Sequence, residues 1–244
     1  MEAREITVTR FDIAKAAGAW QEFVDDVRSH RSAERGPSRL RSSIDRAIGA
    51  AGVVLAAPIL GAAALAVRVE IGGPVLFRQT RPGLRGEPFE MLKFRTMRSP
   101  VEGEDNSDAS RLTPLGRWLR EASIDELPAL INVARGELSL VGPRPLLMRY
   151  LERYSPEQRR RMDVMPGITG WAQVNGRNAI SWEEKFRHDV WYVDNRTLLR
   201  DVQILAMTVG KVLGREDISS DDHVTMPEFM GTDTSEPGTD DSNK

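Results

Sequence analysis

AIGAAGVVLAAPILGAAALAV, residues Ala47–Val67, contains no charged, hydroxyl or amide side chain. A run of about twenty apolar residues is long enough to cross the hydrocarbon core of a bilayer. Pro58 stands near its middle and Gly61 follows three residues on. A proline removes one backbone hydrogen bond, so a helix here is expected to kink or break. Arg35, Arg39, Arg41 and Arg46 precede the run, and Arg68, Arg78, Arg81 and Arg85 follow it. With basic residues on both flanks no asymmetry sets an orientation, and both ends favour the same face of the membrane. Three readings compete: a kinked true span, a re-entrant helix-break-helix with its membrane break at Pro58, and a buried helix of a soluble core. The charge pattern and Pro58 favour re-entry. A signal peptide is not expected, because the run starts far from Met1 and a large polar region without a second such run follows.

Composition narrows the chemistry. The chain has 244 residues, no cysteine and only His30, His188 and His223. Thiol catalysis, cysteine-ligated zinc and iron-sulfur clusters are excluded, and too few histidines remain for a histidine-rich metal site. A metal here would be hard and bound by oxygen, which points to Mg2+. The net charge of −2 is unevenly spread: residues 215–244 hold two bases against nine acids, a net of −7, so residues 1–214 carry +5. A basic folded part suits anionic lipid head groups, a phosphorylated substrate or simple solubility, and composition does not choose among them. The acidic end, mixed with Thr, Ser, Gly and Pro, reads as a disordered tail. The expected organisation is a polar N-terminal extension over 1–38 with one amphipathic helix near Ile13–Val27, an anchor over 39–70, a catalytic domain over 71–214 and the tail over 215–244.

Past the apolar run the pattern changes to a hairpin followed by helices. Val75–Gln79 and Phe89–Met97 read as strands, and the Pro- and Gly-rich segment Thr80–Pro88 as the loop between them. Thr113-Pro114 supplies an N-cap and a first-turn proline, Ser155-Pro156 starts a further helix through Arg159-Arg160-Arg161, and Ser181 with Glu184 forms a capping box. Pro166–Arg177, with three glycines, reads as a tight loop. The last helix, Leu198–Leu213, carries Leu198, Val202, Leu205, Val209 and Val212 on one face, to be packed in the core or laid in the membrane interface. The fold class is therefore α+β: mostly helical, with a small β-hairpin, a re-entrant membrane helix and interfacial amphipathic helices.

Ser123–Pro145 holds the candidate chemistry. Ser123 suits an N-cap and Glu126 the third position of a capping box, with Gly136 ending the helix. The adjacent acids Asp125 and Glu126 then have an ordinary explanation, since the helix dipole favours acids in a first turn. The rigid Gly142-Pro143-Arg144-Pro145 turn close by suggests an active site instead.

Arg41 through Arg46, Pro58, Phe77-Arg78-Gln79 with Arg81 and Gly83, and Lys93-Phe94-Arg95-Thr96-Met97 come first in the chain. Ser123-Ile124-Asp125-Glu126-Leu127-Pro128, Ser139-Leu140-Val141-Gly142-Pro143-Arg144-Pro145 and Pro166-Gly167-Ile168-Thr169-Gly170-Trp171 follow. In this order they closely resemble the bacterial sugar transferase family, the monotopic polyprenyl-phosphate phosphoglycosyl transferases in their short form, over residues 41 to about 213. The resemblance implies transfer of a sugar 1-phosphate from a nucleotide diphosphate sugar, of the UDP-sugar kind, to polyprenyl (undecaprenyl) phosphate with release of a nucleoside monophosphate. That is the first membrane step of exopolysaccharide, capsule or O-antigen synthesis, at the cytoplasmic face of the bacterial inner membrane. It places the nucleophile at Asp125, through an acyl phosphate, Mg2+ binding at Asp125 and Glu126, and at Glu126 alternatively the handling of the acceptor proton. Lys93, Arg95 and Arg144, with Pro143 and Pro145 shaping the turn, become donor-phosphate or nucleotide contacts, and Arg120 a support for the acid pair. Membrane lipids are implied partners, a homodimer is compatible and nucleic acid is not expected. The rivals are a nonenzymatic membrane scaffold for polysaccharide assembly and a glycosyltransferase that leaves the phosphate on the nucleotide.

Overall fold

Helix α1, Arg39–Glu70, carries the whole apolar run with Pro58 inside it. The expected interruption at Pro58 does not end the helix. Proline withdraws a single donor, and the Ala and Leu residues on both sides are strong helix formers that continue the helical bonding past it. The computed structural model describes residues 39–103, 105–176, 180–214 and 228–231. The amphipathic helix expected near Ile13–Val27 and the rest of the N-terminal extension lie outside the described residues, as do Arg177 and most of the tail.

One stripe of α1 is packed on the remainder of the fold. A side chain at Gly49 would lie 2.8 Å from Val133 and Ala134, and one at Gly52 3.3 Å from Leu130. Ala63 and Val67 are buried with Phe94 and Leu119, and Leu60 and Ala64 pack against them. At 100° per residue, positions 49, 52, 60, 63 and 67 fall on one face. The opposite face exposes Leu40, Val54, Leu55, Leu65 and Val69. Polar ties fix the first turns: Ser139 Oγ donates to Asp45 Oδ2 at 2.6 Å, and Arg41 pairs with Asp201.

The hairpin forms where the sequence predicts it but with different bounds: Thr80–Pro82 and Pro88, expected in the loop, are paired, and the second strand ends at Phe94 rather than Met97. Strands β1 (Leu76–Pro82) and β2 (Pro88–Phe94) pair antiparallel, with Leu76 opposite Phe94 and Pro82 opposite Pro88. The short helix α2 (Asp108–Arg111) leads to α3 (Pro114–Glu121), which starts with Thr113 capping Gly116 N at 2.9 Å. Helix α4, Ala129–Arg135, ends at Gly136, whose φ of 78° is the left-handed region that suits glycine. Asn132, fully buried on α4, accepts from Leu92 N at 3.0 Å and donates to Glu90 O at 2.7 Å, which clamps β2 onto this helix.

A second sheet was not anticipated. Strands β3 (Ser139–Val141) and β4 (Gly167–Thr169) lie parallel, Ser139 opposite Gly167 and Val141 opposite Thr169. Helix α5 (Pro156–Arg159), the short α6 (Trp171–Val174), α7 (Trp182–Asn195) and α8 (Leu198–Gly214) complete the order. Capping boxes start α5 at Ser155 and α7 at Ser181. Val141, Val164, Val174, Tyr192, Val193 and Ile204 form the core around the parallel pair. On α8 the expected apolar face is largely not the packed one: Leu198, Val202 and Val209 are exposed, whereas Ile204 is buried.

Candidate active site

Asp125 and Glu126 sit in a 3-10 turn, Ile124–Glu126, between α3 and α4. Ser123 does not cap it. Its backbone is left-handed, φ 55° and ψ 19°, and its side chain makes no capping bond. The capping box fails for a specific reason: the Glu126 carboxylate is drawn to cations from two other elements rather than back to Ser123. Lys93 Nζ, from β2, donates to Glu126 Oε1 at 2.7 Å. Arg144, from the Gly142–Pro145 turn, donates through Nη2 to Oε1 at 2.5 Å and through Nη1 to Oε2 at 3.4 Å. Nor do the acids open α4, which starts at Ala129 with Pro128 before it, so that no free amide stands at its N-cap.

The two carboxyls are driven apart electrostatically. Asp125 is 9% exposed and accepts no hydrogen bond from a described residue. Burial, then the negative charge of Glu126, pushes its carboxyl up to about 6, against the pull of Lys93, Arg120 and Arg144. Burial acts on Glu126 in the same sense, but the charges and hydrogen bonds of Arg144 and Lys93 outweigh it and hold this carboxyl far below the usual carboxylate range. Burial, then the charge of Arg144, lowers Lys93, whereas Glu126 raises Arg144.

The Gly142–Pro145 turn is held by close backbone approach. Gly142 N donates to Thr169 O at 2.9 Å and Gly167 N to Pro143 O at 3.1 Å. A side chain at Gly142 or Gly167 would run into the backbone of the other segment. Pro143 and Pro145 are buried and Arg144 between them is half-buried. Behind the turn, Arg161 donates from Nη2 to Arg144 O at 2.8 Å and to Asp189 Oδ2 at 2.6 Å. Arg120 donates to Thr96 Oγ1 at 3.0 Å and reaches Asp125 by charge. Arg95 goes elsewhere: it bonds Gly73 O at 2.8 Å and Met97 O at 3.1 Å and pairs with Ser99. Lys93, Arg120 and Arg144 thus surround the acid pair, and Arg95 does not join them.

Residues 37–215 match the bacterial sugar transferase family. The uncharacterised sugar transferase EpsL of Bacillus subtilis is 58% identical over 168 residues, 68% of this chain and 83% of that protein. A UDP-glucose:undecaprenyl-phosphate glucose-1-phosphate transferase of Caulobacter vibrioides is 47% identical over 171 residues, 65% of this chain and 64% of its own. A transferase of the same name from Escherichia coli is 38% identical over 171 residues, 65% of this chain and 37% of its own. The chain belongs to the bacterial sugar transferase family.

Within this sugar transferase the structure adds cations that the motifs alone did not assign. Arg81 donates to Gln79 Oε1 at 2.5 Å, and burial, then the charge of Arg144, lowers its guanidinium to about 10. Lys185, on α7, is lowered to about 8 by burial and by the charges of Arg144 and Arg161. Arg81 lies in a quoted motif, so its signal was in the sequence; the Arg161–Asp189 pair spans 28 positions and left none. Among the described residues no three or more acids and histidines gather into a metal cage. Asp125, which accepts no hydrogen bond from a described residue, and the weakly engaged Oε2 of Glu126 suit an ion that takes one or two carboxylates and completes its shell with water and substrate phosphate.

Proposed function

We propose that this sugar transferase moves a hexose 1-phosphate from a UDP-hexose to polyprenyl phosphate through a covalent intermediate on Asp125. The observation that carries this reading is the acid pair itself. Asp125 is buried, accepts no hydrogen bond from a described residue and has its carboxyl pushed up to about 6, while its neighbour is held ionised by Lys93 and Arg144. A carboxylate stripped of solvent and donors is a better nucleophile than one in water. Its oxygen attacks the donor phosphorus that bears the sugar, a phosphorus–oxygen bond to Asp125 forms, and the bond to the other phosphate breaks. The nucleoside monophosphate departs with the bridging oxygen. A phosphate oxygen of the polyprenyl acceptor then attacks the same phosphorus and releases Asp125 as carboxylate.

Lys93, Arg144 and Arg81 receive the charge that gathers on the phosphate oxygens, a role in which fixed cations cost no reorganisation. Glu126, held far below the usual range, is a poor base and serves as the fixed anion that keeps Lys93 and Arg144 in place. Mg2+ held by Asp125 and Glu126 together with the donor phosphates would supply further neutralisation of the leaving nucleotide. Relatives named for undecaprenyl-phosphate glucose-1-phosphate transfer support the donor and acceptor classes. A scaffold would leave a buried carboxylate ringed by cations without a purpose.

Membrane association follows from α1 and α8. Both halves of α1 rest on one folded domain while its other face and the face of α8 bearing Leu198, Val202 and Val209 are apolar and exposed. This suits a helix that keeps both of its ends on one side of the bilayer, with α8 in the interface, at the cytoplasmic face of the inner membrane. The reaction is tested by incubating the membrane-embedded protein with UDP-glucose or UDP-galactose and no lipid acceptor. One phosphosugar should appear on Asp125, cleavable by hydroxylamine, with a stoichiometric amount of uridine monophosphate. No adduct and no release until polyprenyl phosphate is added would overturn the covalent route.

A further inference from the structure

Phe229 lies beyond residue 215, where the family match ends, in a segment whose composition predicts a disordered acidic tail. It is nevertheless 1% exposed. Its ring packs 5.7 Å from Tyr150, 5.9 Å from Tyr154, 4.9 Å from Phe186 and 5.6 Å from Trp182. Its backbone amide donates to the Tyr150 hydroxyl at 3.3 Å, and Arg153 bonds its carbonyl. Glu228 beside it accepts from both Arg149 and Arg153 at 2.9 Å. An aromatic anchor, a paired acid and two backbone bonds make a docked peptide rather than a passing contact.

The seat of this peptide is the rear wall of the active site. Leu146, two residues after Arg144, is buried in the same cluster as Phe229. Tyr154, stacked on Phe229, accepts from Arg161 Nη1 at 3.3 Å, and Arg161 in turn bonds the Arg144 carbonyl at 2.8 Å. Contacts thus run unbroken from Phe229 through Tyr154, Arg161 and Arg144 to Glu126. β4 braces the Gly142–Pro145 turn on one side, and the aromatic cluster that Phe229 completes braces the other. We propose that Glu228-Phe229 is a positioning element of the active site, a C-terminal peptide whose docking sets Arg161 and through it the phosphate-binding Arg144. The proposal rests on the phosphate-transfer reading of that site.

Three forms test it: the full chain, a chain ending at Gly231 and a chain ending at Gly214. The chain ending at Gly231 should keep the kinetics of the full chain. The chain ending at Gly214 should lose on the order of 10- to 100-fold in kcat/KM for the UDP-hexose, because a misplacement of ~1 Å can cost about 10²-fold. A synthetic peptide of residues 223–231 should restore that loss in a saturable manner, and the same peptide with Phe229→Ala should not. Rescue in trans separates positioning from mere folding. Unchanged kinetics after cutting at Gly214, or a loss that the peptide fails to restore in a protein that still melts cooperatively, would overturn the proposal. Anisotropy of the labelled peptide on the shorter chain reads docking without turnover, so absence of saturable binding sinks the proposal even if no donor is accepted. A full chain inactive with every UDP-hexose, beside a chain ending at Gly214 that binds the peptide saturably, would overturn the phosphate-transfer reading, whereas a full chain that turns over beside a shorter chain that fails to bind the peptide would overturn the positioning role alone.

Discussion

Asp125 and Glu126 are neighbouring carboxylates that their surroundings drive in opposite directions, and the difference is measurable. Asp125 has its carboxyl pushed up to about 6 by burial and by the charge of Glu126. Its folded form therefore binds the proton more tightly than the unfolded chain does. The stability it contributes is fully present below about pH 4 and is lost as pH rises through about 6. Replacing it by Asn should remove turnover, because an amide cannot act as the nucleophile, and should leave the protein more stable than wild type at pH 7 by on the order of 1–3 kcal/mol. Thermal melts of both proteins from pH 4 to pH 8 check this: the advantage of the Asn form should grow between pH 4 and 6 and then level off. Wild-type turnover should fall on the acid side with a midpoint near 6. A flat difference across that range would mean that Asp125 is not desolvated. Glu126 behaves in the reverse sense, since its depressed carboxyl contributes stability above its unfolded value and loses it only as pH falls far below.

At the level of elements, the chain announces itself unevenly. The hairpin, the Thr113 cap, the Ser181–Glu184 box and the Gly136 stop depend on neighbours within a few residues, and all are readable from spacing. Lys93, Glu126 and Arg144 are likewise visible as motif residues. What was hidden depends on distant partners. Ser123 looks like a cap until Lys93 and Arg144 compete for Glu126. β3 and β4 are three residues each, too short to show a period of two, and their pairing joins segments separated by α5 and the loop after it. That pairing nevertheless fixes the Gly142–Pro145 turn that carries Arg144. A methyl group at Gly142 would strike the carbonyl of Met165 and the amide of Gly167, both backbone atoms that cannot rotate aside. Gly142→Ala should therefore cost about 1–3 kcal/mol of stability through overpacking. It should also raise the KM for the UDP-hexose by shifting Arg144. Denaturant midpoints with steady-state kinetics decide it; a variant of normal KM would show that the turn tolerates separation from β4.

For the whole molecule the decisive quantity is where α1 lies in the bilayer. A straight helix of 32 residues is about 48 Å long, enough to cross. A spanning helix, however, delivers its two ends to opposite surfaces. Here Asp45 and Gly49 near one end and Ala63 and Val67 near the other pack on the same folded domain. If α1 spanned, that domain would have to occupy the hydrocarbon with its charged surface, at a cost of several kcal/mol for each unpaired polar group. The proposed non-spanning placement would put the exposed apolar face of α1 in lipid and both flanks on one side. The chain has no cysteine, so a single introduced thiol reports without background. Arg39→Cys and Arg85→Cys should both react with a membrane-impermeant maleimide from the cytoplasmic side of sealed vesicles and from that side alone. Leu55→Cys, at a position 81% exposed on the protein, should resist the reagent from either side and react once detergent removes the bilayer. Labelling of Arg39→Cys and Arg85→Cys from opposite sides would make α1 a span, and ready labelling of Leu55→Cys in intact vesicles would place this face in water. Pro58→Leu restores the missing backbone donor near the middle of the apolar run. It should shift part of the population toward opposite-side labelling and lower turnover, because a spanning α1 would carry Asp125 away from the lipid phosphate.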